Sequence, residues 1–184
     1  AALKGKNKDL AKKMLKNDIE ETGVYHGENH IVVEKESNTL NGTSSDETLS
    51  FSSDASSIDG KDGTDTLIFT ESNNNGSGEL DIGAILGNVN LENIEELDLT
   101  NGAHILSNIK ASEVFSMTDT DNELKIVLDS DDSFDAAASG WDVSSASIVD
   151  NGDGTQTTTY AETYTNPADS SDYVVKLLIQ EDIV

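Results

Sequence analysis

Two twelve-residue stretches set acids beside glycines at matched positions. Leu40-Asn41-Gly42-Thr43-Ser44-Ser45-Asp46-Glu47-Thr48-Leu49-Ser50-Phe51 and Ile58-Asp59-Gly60-Lys61-Asp62-Gly63-Thr64-Asp65-Thr66-Leu67-Ile68-Phe69 share one order: apolar, Asn or Asp, Gly, a polar turn, an acid, Thr, Leu, one residue, Phe. Glycine permits positive φ in such a turn and lets backbone carbonyls face inward. An acid in the same turn adds a carboxylate oxygen. Carboxylates and carbonyls from stacked turns are the donor set of a hard cation such as Ca²⁺. The candidate ligands are Asp59, Asp62 and Asp65 with the carbonyls of Gly60 and Gly63, joined by Asp46 and Glu47 from the weaker copy. The same residues also suit an acidic hairpin with glycine turns and no metal.

Other constellations carry less. The chain has no Cys and no Arg, which excludes disulfides, thiolate catalysis and bidentate guanidinium clamps. His26, His30 and His104 stand without a Gly-x-Ser-x-Gly elbow or a His-Glu-x-x-His pair. His26 and His30 lie four apart, but Gly27 and the β-branched run after it argue for a strand rather than a metal-binding helix. Nothing singles out two of the many acids as a glycosidase pair, so a non-catalytic protein is expected. Trp141 and Tyr160, with Tyr164 and Tyr173, would suit either a sugar-stacking platform or a small β core. Asp150-Asn151-Gly152-Asp153-Gly154 opens like an EF-hand loop, but no Glu closes it at the twelfth position. A hairpin turn is the expected reading.

The elements that must position these residues follow from patterning. Leu49, Ile58 and Leu67 are spaced by nine, and the two long stretches are offset by eighteen. Nine is the period of the parallel β-roll nonapeptide Gly-Gly-x-Gly-x-Asp-x-apolar-x. Gly60–Ile68 matches it at Gly60, Gly63, Asp65 and Leu67, with Lys61 in place of the second glycine. The alternation Leu97-Asp98-Leu99, the run Leu124–Leu128 and the tail Tyr173–Val184 predict further strands. Ser112 is placed to cap a short helix through Phe115. Ser147–Asp150 and Thr157–Thr163 form the arms of a hairpin. Leu3, Leu10, Met14, Leu15 and Ile19 recur at helical spacing and end near Gly23. No run reaches the roughly 18 apolar residues of a membrane helix, and residues 1–16 lack the apolar core of a signal peptide.

Charge divides the chain at the same place. Residues 1–16 carry a net +5 and the remainder −30. A body that acidic repels phosphate, so nucleic acid is not an expected partner. The expected organisation is a basic helix or connector over 1–23 and an acidic β domain over 24–184. Degenerate nonapeptides occupy about 40–69 of that domain. The expected class is mostly β: short strands stacked as a β-roll or solenoid, or as a sandwich, behind an N-terminal α-helix.

In its order of motifs the chain resembles the C-terminal region of large type I secreted RTX-type proteins of Gram-negative bacteria, such as surface adhesins and surface-layer proteins. Four features carry the likeness: the Gly60–Ile68 unit; Ile94-Glu95-Glu96-Leu97-Asp98-Leu99; Val114–Asp119 followed by Asn122–Ile126, Asp131-Asp132-Ser133 and Gly140-Trp141; and the hairpin with its aliphatic tail. The resemblance spans about 40–184. It implies export to the cell exterior or surface by an ABC-transporter machine, with the signal in about 112–184. It also implies folding helped by Ca²⁺ outside the cell. The alternative is a carbohydrate- or protein-binding adhesive domain that needs no metal.

Overall fold

A computed structural model describes residues 30–31, 38–51, 53–70, 73–74 and 77–183. The helix expected over 1–23 lies outside these residues, and of the strand expected in the β-branched run after Gly27 only His30–Ile31 lies within them. The chain is mostly β, with several sheets and no barrel. Among the described residues no helix is long and apolar enough to cross a membrane.

The short strands pair in parallel, each upon the one a full circuit earlier. β2 (Thr39–Asn41), β4 (Ser57–Asp59) and β7 (Asn90–Glu92) make one ladder. β6 (Glu79–Asp81), β9 (Ile105–Ser107) and β11 (Ser133–Phe134) make a second. The third and largest sheet runs β1 (His30–Ile31), β3 (Thr48–Ser50), β5 (Thr66–Thr70), β8 (Glu96–Asn101), β10 (Glu123–Val127), β14 (Asp172–Asp182), β13 (Thr155–Thr165), β12 (Ser147–Asp150). Among the described residues only the β12–β13 and β13–β14 pairs are antiparallel. The eighteen-residue offset is one circuit: Leu40 pairs with Ile58 in the first ladder, and Leu49 with Leu67 in the large sheet. Two faces are visited per circuit, which is why apolar residues fall every nine.

Alternation does the rest, because successive strand residues point to opposite faces. The inward row of the large sheet is Leu49, Leu67, Leu97, Ile126 and Ile179, all buried. Leu40, Ile58 and Leu91 line the first ladder, and Leu80 and Leu106 the second. Each fully buried Leu or Ile contributes about 1.5–3 kcal/mol relative to exposure. After β5 the circuits lengthen, because the helices Ile82–Leu86 and Ala111–Met117 and the extra ladder are spliced between the stacked strands.

The helix Ala111–Met117 begins at Lys110, not Ser112. The Glu113 carboxylate reaches back to accept the Lys110 N–H (3.1 Å), while the Ser112 hydroxyl is occupied with Glu113. Its Phe115 packs on Tyr164 and Tyr173, with ring centroids 4.9 and 4.8 Å away, and so holds the β13–β14 hairpin to the stack. Beyond β12 the chain turns where Asn-Gly and Asp-Gly were expected, with Gly152 and Gly154 at φ +80° and +95°.

Candidate cation-binding turn

Three acids stand directly before strands of the large sheet, one per circuit: Glu47 before β3, Asp65 before β5 and Glu95 before β8. The first two donate their backbone N–H to the carboxylate one circuit further on. Glu47 N–H binds Asp65 Oδ1 at 2.8 Å, and Asp65 N–H binds Glu95 Oε2 at 2.9 Å. Backbone bonds tie the same corners, from Thr66 N–H to the Glu47 carbonyl and from Glu95 and Glu96 N–H to the Asp65 carbonyl. The carboxylates therefore form a column along the corner of the stack.

Across the turn sits a matching column of backbone. Gly42 N–H binds the Asp59 carbonyl and Gly60 N–H the Glu92 carbonyl. A methyl group on Gly60 would lie 2.1 Å from the Asn93 carbonyl oxygen and 2.4 Å from Asp65 Oδ2. On Gly42 it would lie 2.1 Å from the Gly60 carbonyl oxygen and 2.7 Å from Glu47 Oε2. These two glycines are needed for the space beside them, which faces a carbonyl and a carboxylate in both cases.

The two cradles differ in what fills them. Both Glu47 oxygens are taken by Thr43, Oε2 by its N–H at 2.7 Å and Oε1 by its hydroxyl. Asp65 is fully buried, and its Oδ2 has no partner. Glu95 Oε1, on a half-buried side chain, is likewise buried without a partner. Leaving such an acceptor unmade is costly. Burial raises the Asp65 carboxyl to about 7, and the charges of Glu47, Glu95 and Asp46 push the same way against the Glu47 N–H bond. Burial also raises Glu95, against hydrogen bonds from the Asp65 and Asp119 backbone and with the charge of Asp119 adding to it.

The remaining expected ligands are otherwise engaged. Asp59 accepts the Lys61 N–H (3.0 Å) and the Asn93 side-chain amide (2.8 Å), and pairs with the Lys61 ammonium. Burial raises its pKa, but those bonds outweigh burial and hold it below the usual value. Lys61 thus supplies a tethered cation from the position where the nonapeptide has glycine, at φ +78°. That backbone is strained for a residue with a side chain. Asp46 accepts the Thr64 N–H, Asp62 is exposed, and Gly63 at φ +133° passes 2.7 Å (measured from an added methyl) from the Ser45 carbonyl oxygen. Of the seven residues expected to bind metal, the fold gathers Asp65, Gly60 and Glu47 about the corner and directs Asp59 elsewhere.

Glu95 and Asn93 also stand at this corner, outside the residues expected from the repeat. The signal was present: Glu47-Thr48-Leu49, Asp65-Thr66-Leu67 and Glu95-Glu96-Leu97 all place an acid two residues before a core leucine. Among the described residues no three His, Cys, Asp or Glu side chains converge as a metal-binding group. A hard cation here would draw on carbonyl oxygen and water besides two carboxylates, which suits Ca²⁺ and not zinc. The buried orphan oxygen of Asp65 and the cradle at Gly60 are the observations that fit such an ion.

Trp141 is buried, with its indole N–H on the Ile109 carbonyl at 2.7 Å. Tyr160 is half-buried beside it, 6.5 Å away between centroids. Trp141 is therefore a core side chain, and Tyr160 packs against the core while keeping part of its surface exposed. Against protein-family models, curated proteins and solved structures, the chain matches none.

Proposed function

We propose that this chain is a non-catalytic module of an RTX-like secreted protein, of the adhesin or surface-layer kind. In this reading it is a parallel β-solenoid that folds with help from Ca²⁺, and its C-terminal part, about 112–184, carries the type I secretion signal. One observation carries the metal half: a fully buried carboxylate, Asp65, with one oxygen free beside a glycine cradle. Asp65 would hold the ion, with the backbone around Gly60 shaping the space. The ion would neutralise carboxylates that otherwise repel across the corner, and its binding energy would add to folding. A chain with net charge −25 is then markedly more stable where Ca²⁺ is plentiful than where it is scarce.

The test is a pair of melting curves. The protein in millimolar Ca²⁺ is expected to melt well above the same protein in chelator, and the gap should persist in 150 mM salt, where diffuse screening is matched. Coincident curves would end the Ca²⁺ reading. The secretion half is tested separately: removing Tyr173–Val184 should abolish export through a type I transporter, and undiminished export would refute it.

A further inference from the structure

We infer that the cation site is completed from outside the repeat, with Glu95 supplying the second carboxylate beside Asp65 and Asn93 a backbone carbonyl oxygen. The ligand class is a hard divalent cation. This rests on the Ca²⁺ reading above and assigns its ligands, which the nonapeptide pattern places elsewhere.

Within the repeat, the other carboxylates are engaged or exposed: Asp59 is held by Lys61 and Asn93, Glu47 by Thr43, and Asp46 is exposed with one oxygen on Thr64. Asp62 is exposed. Two carboxylate oxygens at this corner are buried and unpartnered, Asp65 Oδ2 and Glu95 Oε1. The other oxygen of each carboxylate is anchored by a backbone N–H from the preceding circuit, so neither can rotate to relieve the free one without breaking that bond. Asn93, two residues before Glu95, puts its carbonyl oxygen into the space that Gly60 leaves beside Asp65 Oδ2. The circuit without a glycine repeat thus brings both a carbonyl and a carboxylate to the corner.

A hollow of about 550 Å³ beside the turn is lined by Gly63, Thr64, Glu95 and Asp119, and also by Lys125 and Lys176; it reaches the Glu95 side chain but not Asp65, Gly60 or Asn93. Two carboxylates match a divalent charge, and all the donors are oxygen, which favours Ca²⁺ over softer metals.

Calorimetric titration of the 184-residue chain, stripped with chelator and then given CaCl₂ in 150 mM salt, tests the assignment. Glu95→Gln and Asp65→Asn should each weaken the tightest site about tenfold or more, while Asp62→Asn stays within about twofold of the parent. Far-ultraviolet circular dichroism in chelator checks that each variant is folded. If Glu95→Gln binds like the parent while Asp65→Asn does not, the role of Glu95 is refuted and the Ca²⁺ reading survives. If the parent binds no Ca²⁺ at millimolar concentration, both fall. Should Glu95→Gln fail to fold, Glu95→Asp keeps the charge but shortens the reach, and unchanged affinity in that variant also overturns the assignment.

Discussion

Asp65→Asn is expected to melt higher than the parent in chelator at pH 8, and to lose most of its response to Ca²⁺. The two effects have opposite signs and one cause. At pH 8 the parent holds an ionised carboxylate in a fully buried place, with one oxygen unpartnered and other acids nearby. Moving from 3.8 to about 7 corresponds to a ceiling of roughly 4 kcal/mol of destabilisation at 1.36 kcal/mol per pKa unit. Asparagine keeps the shape and the acceptor for the Glu47 N–H, and it puts an amide donor where Asp65 Oδ2 now faces the Asn93 carbonyl. Structural relaxation reduces the recoverable part to about 1–3 kcal/mol, or about 3–10 °C in Tm for a chain of this size. The same change removes the carboxylate the ion needs. A variant that melts lower in chelator, or that answers Ca²⁺ as the parent does, would contradict this account of the corner.

Without metal, the parent should gain stability as pH falls from about 7 toward about 4. Asp65 has a folded-state pKa near 7 against 3.8 unfolded, so between those values the folded chain binds more protons. Stability must then fall as pH rises through that window, and level off above it. Glu95 and Asp132, both raised chiefly by burial, act in the same direction. Asp59, Asp142, Asp153 and Asp169 are held below the usual value by hydrogen bonds, against burial in each case. Their contribution is present above the unfolded pKa and is lost only as pH drops below it, so the profile should turn over near pH 4. Urea midpoints measured from pH 4 to pH 9 in chelator test this. Asp65→Asn should flatten the slope between 4 and 7, whereas a parent profile that rises with pH across that range would exclude the buried, strained carboxyl.

Much of this was legible in the residues. The eighteen-residue offset between the two long stretches is the length of one circuit, and the nine-residue interval follows because that circuit visits two faces. The Asn-Gly and Asp-Gly turn after β12 was also readable, since positive φ at Gly152 and Gly154 is what such turns need. The ladder of β6, β9 and β11 was not. Its residues Leu80, Leu106 and Phe134 recur at unequal intervals, because connectors of different length intervene, so no period announces it. At the site, Asp65 looked equivalent to Asp59 and Asp62. What separates them is three-dimensional: the Lys61 ammonium falls on Asp59, water reaches Asp62, and only Asp65 is sealed beneath the next circuit. Trp141 could be a platform or a core residue from composition alone, and the partner found by its indole N–H, the Ile109 carbonyl 32 residues earlier, decides for the core.

The β13–β14 hairpin has a consequence for how the chain assembles. It joins neighbours in sequence through eleven paired residues, whereas the parallel pairings reach across one or more intervening segments and must close far larger loops. Loop closure is an entropic barrier to each of these, and a preformed edge lowers it by offering a ready template. Assembly is therefore expected to nucleate at the C-terminal end and to zip toward the N-terminal end, circuit upon circuit. In pulsed hydrogen exchange during refolding, amides of Thr155–Thr165 and Asp172–Asp182 should gain protection before those of Thr48–Ser50, and the reverse order would refute this polarity.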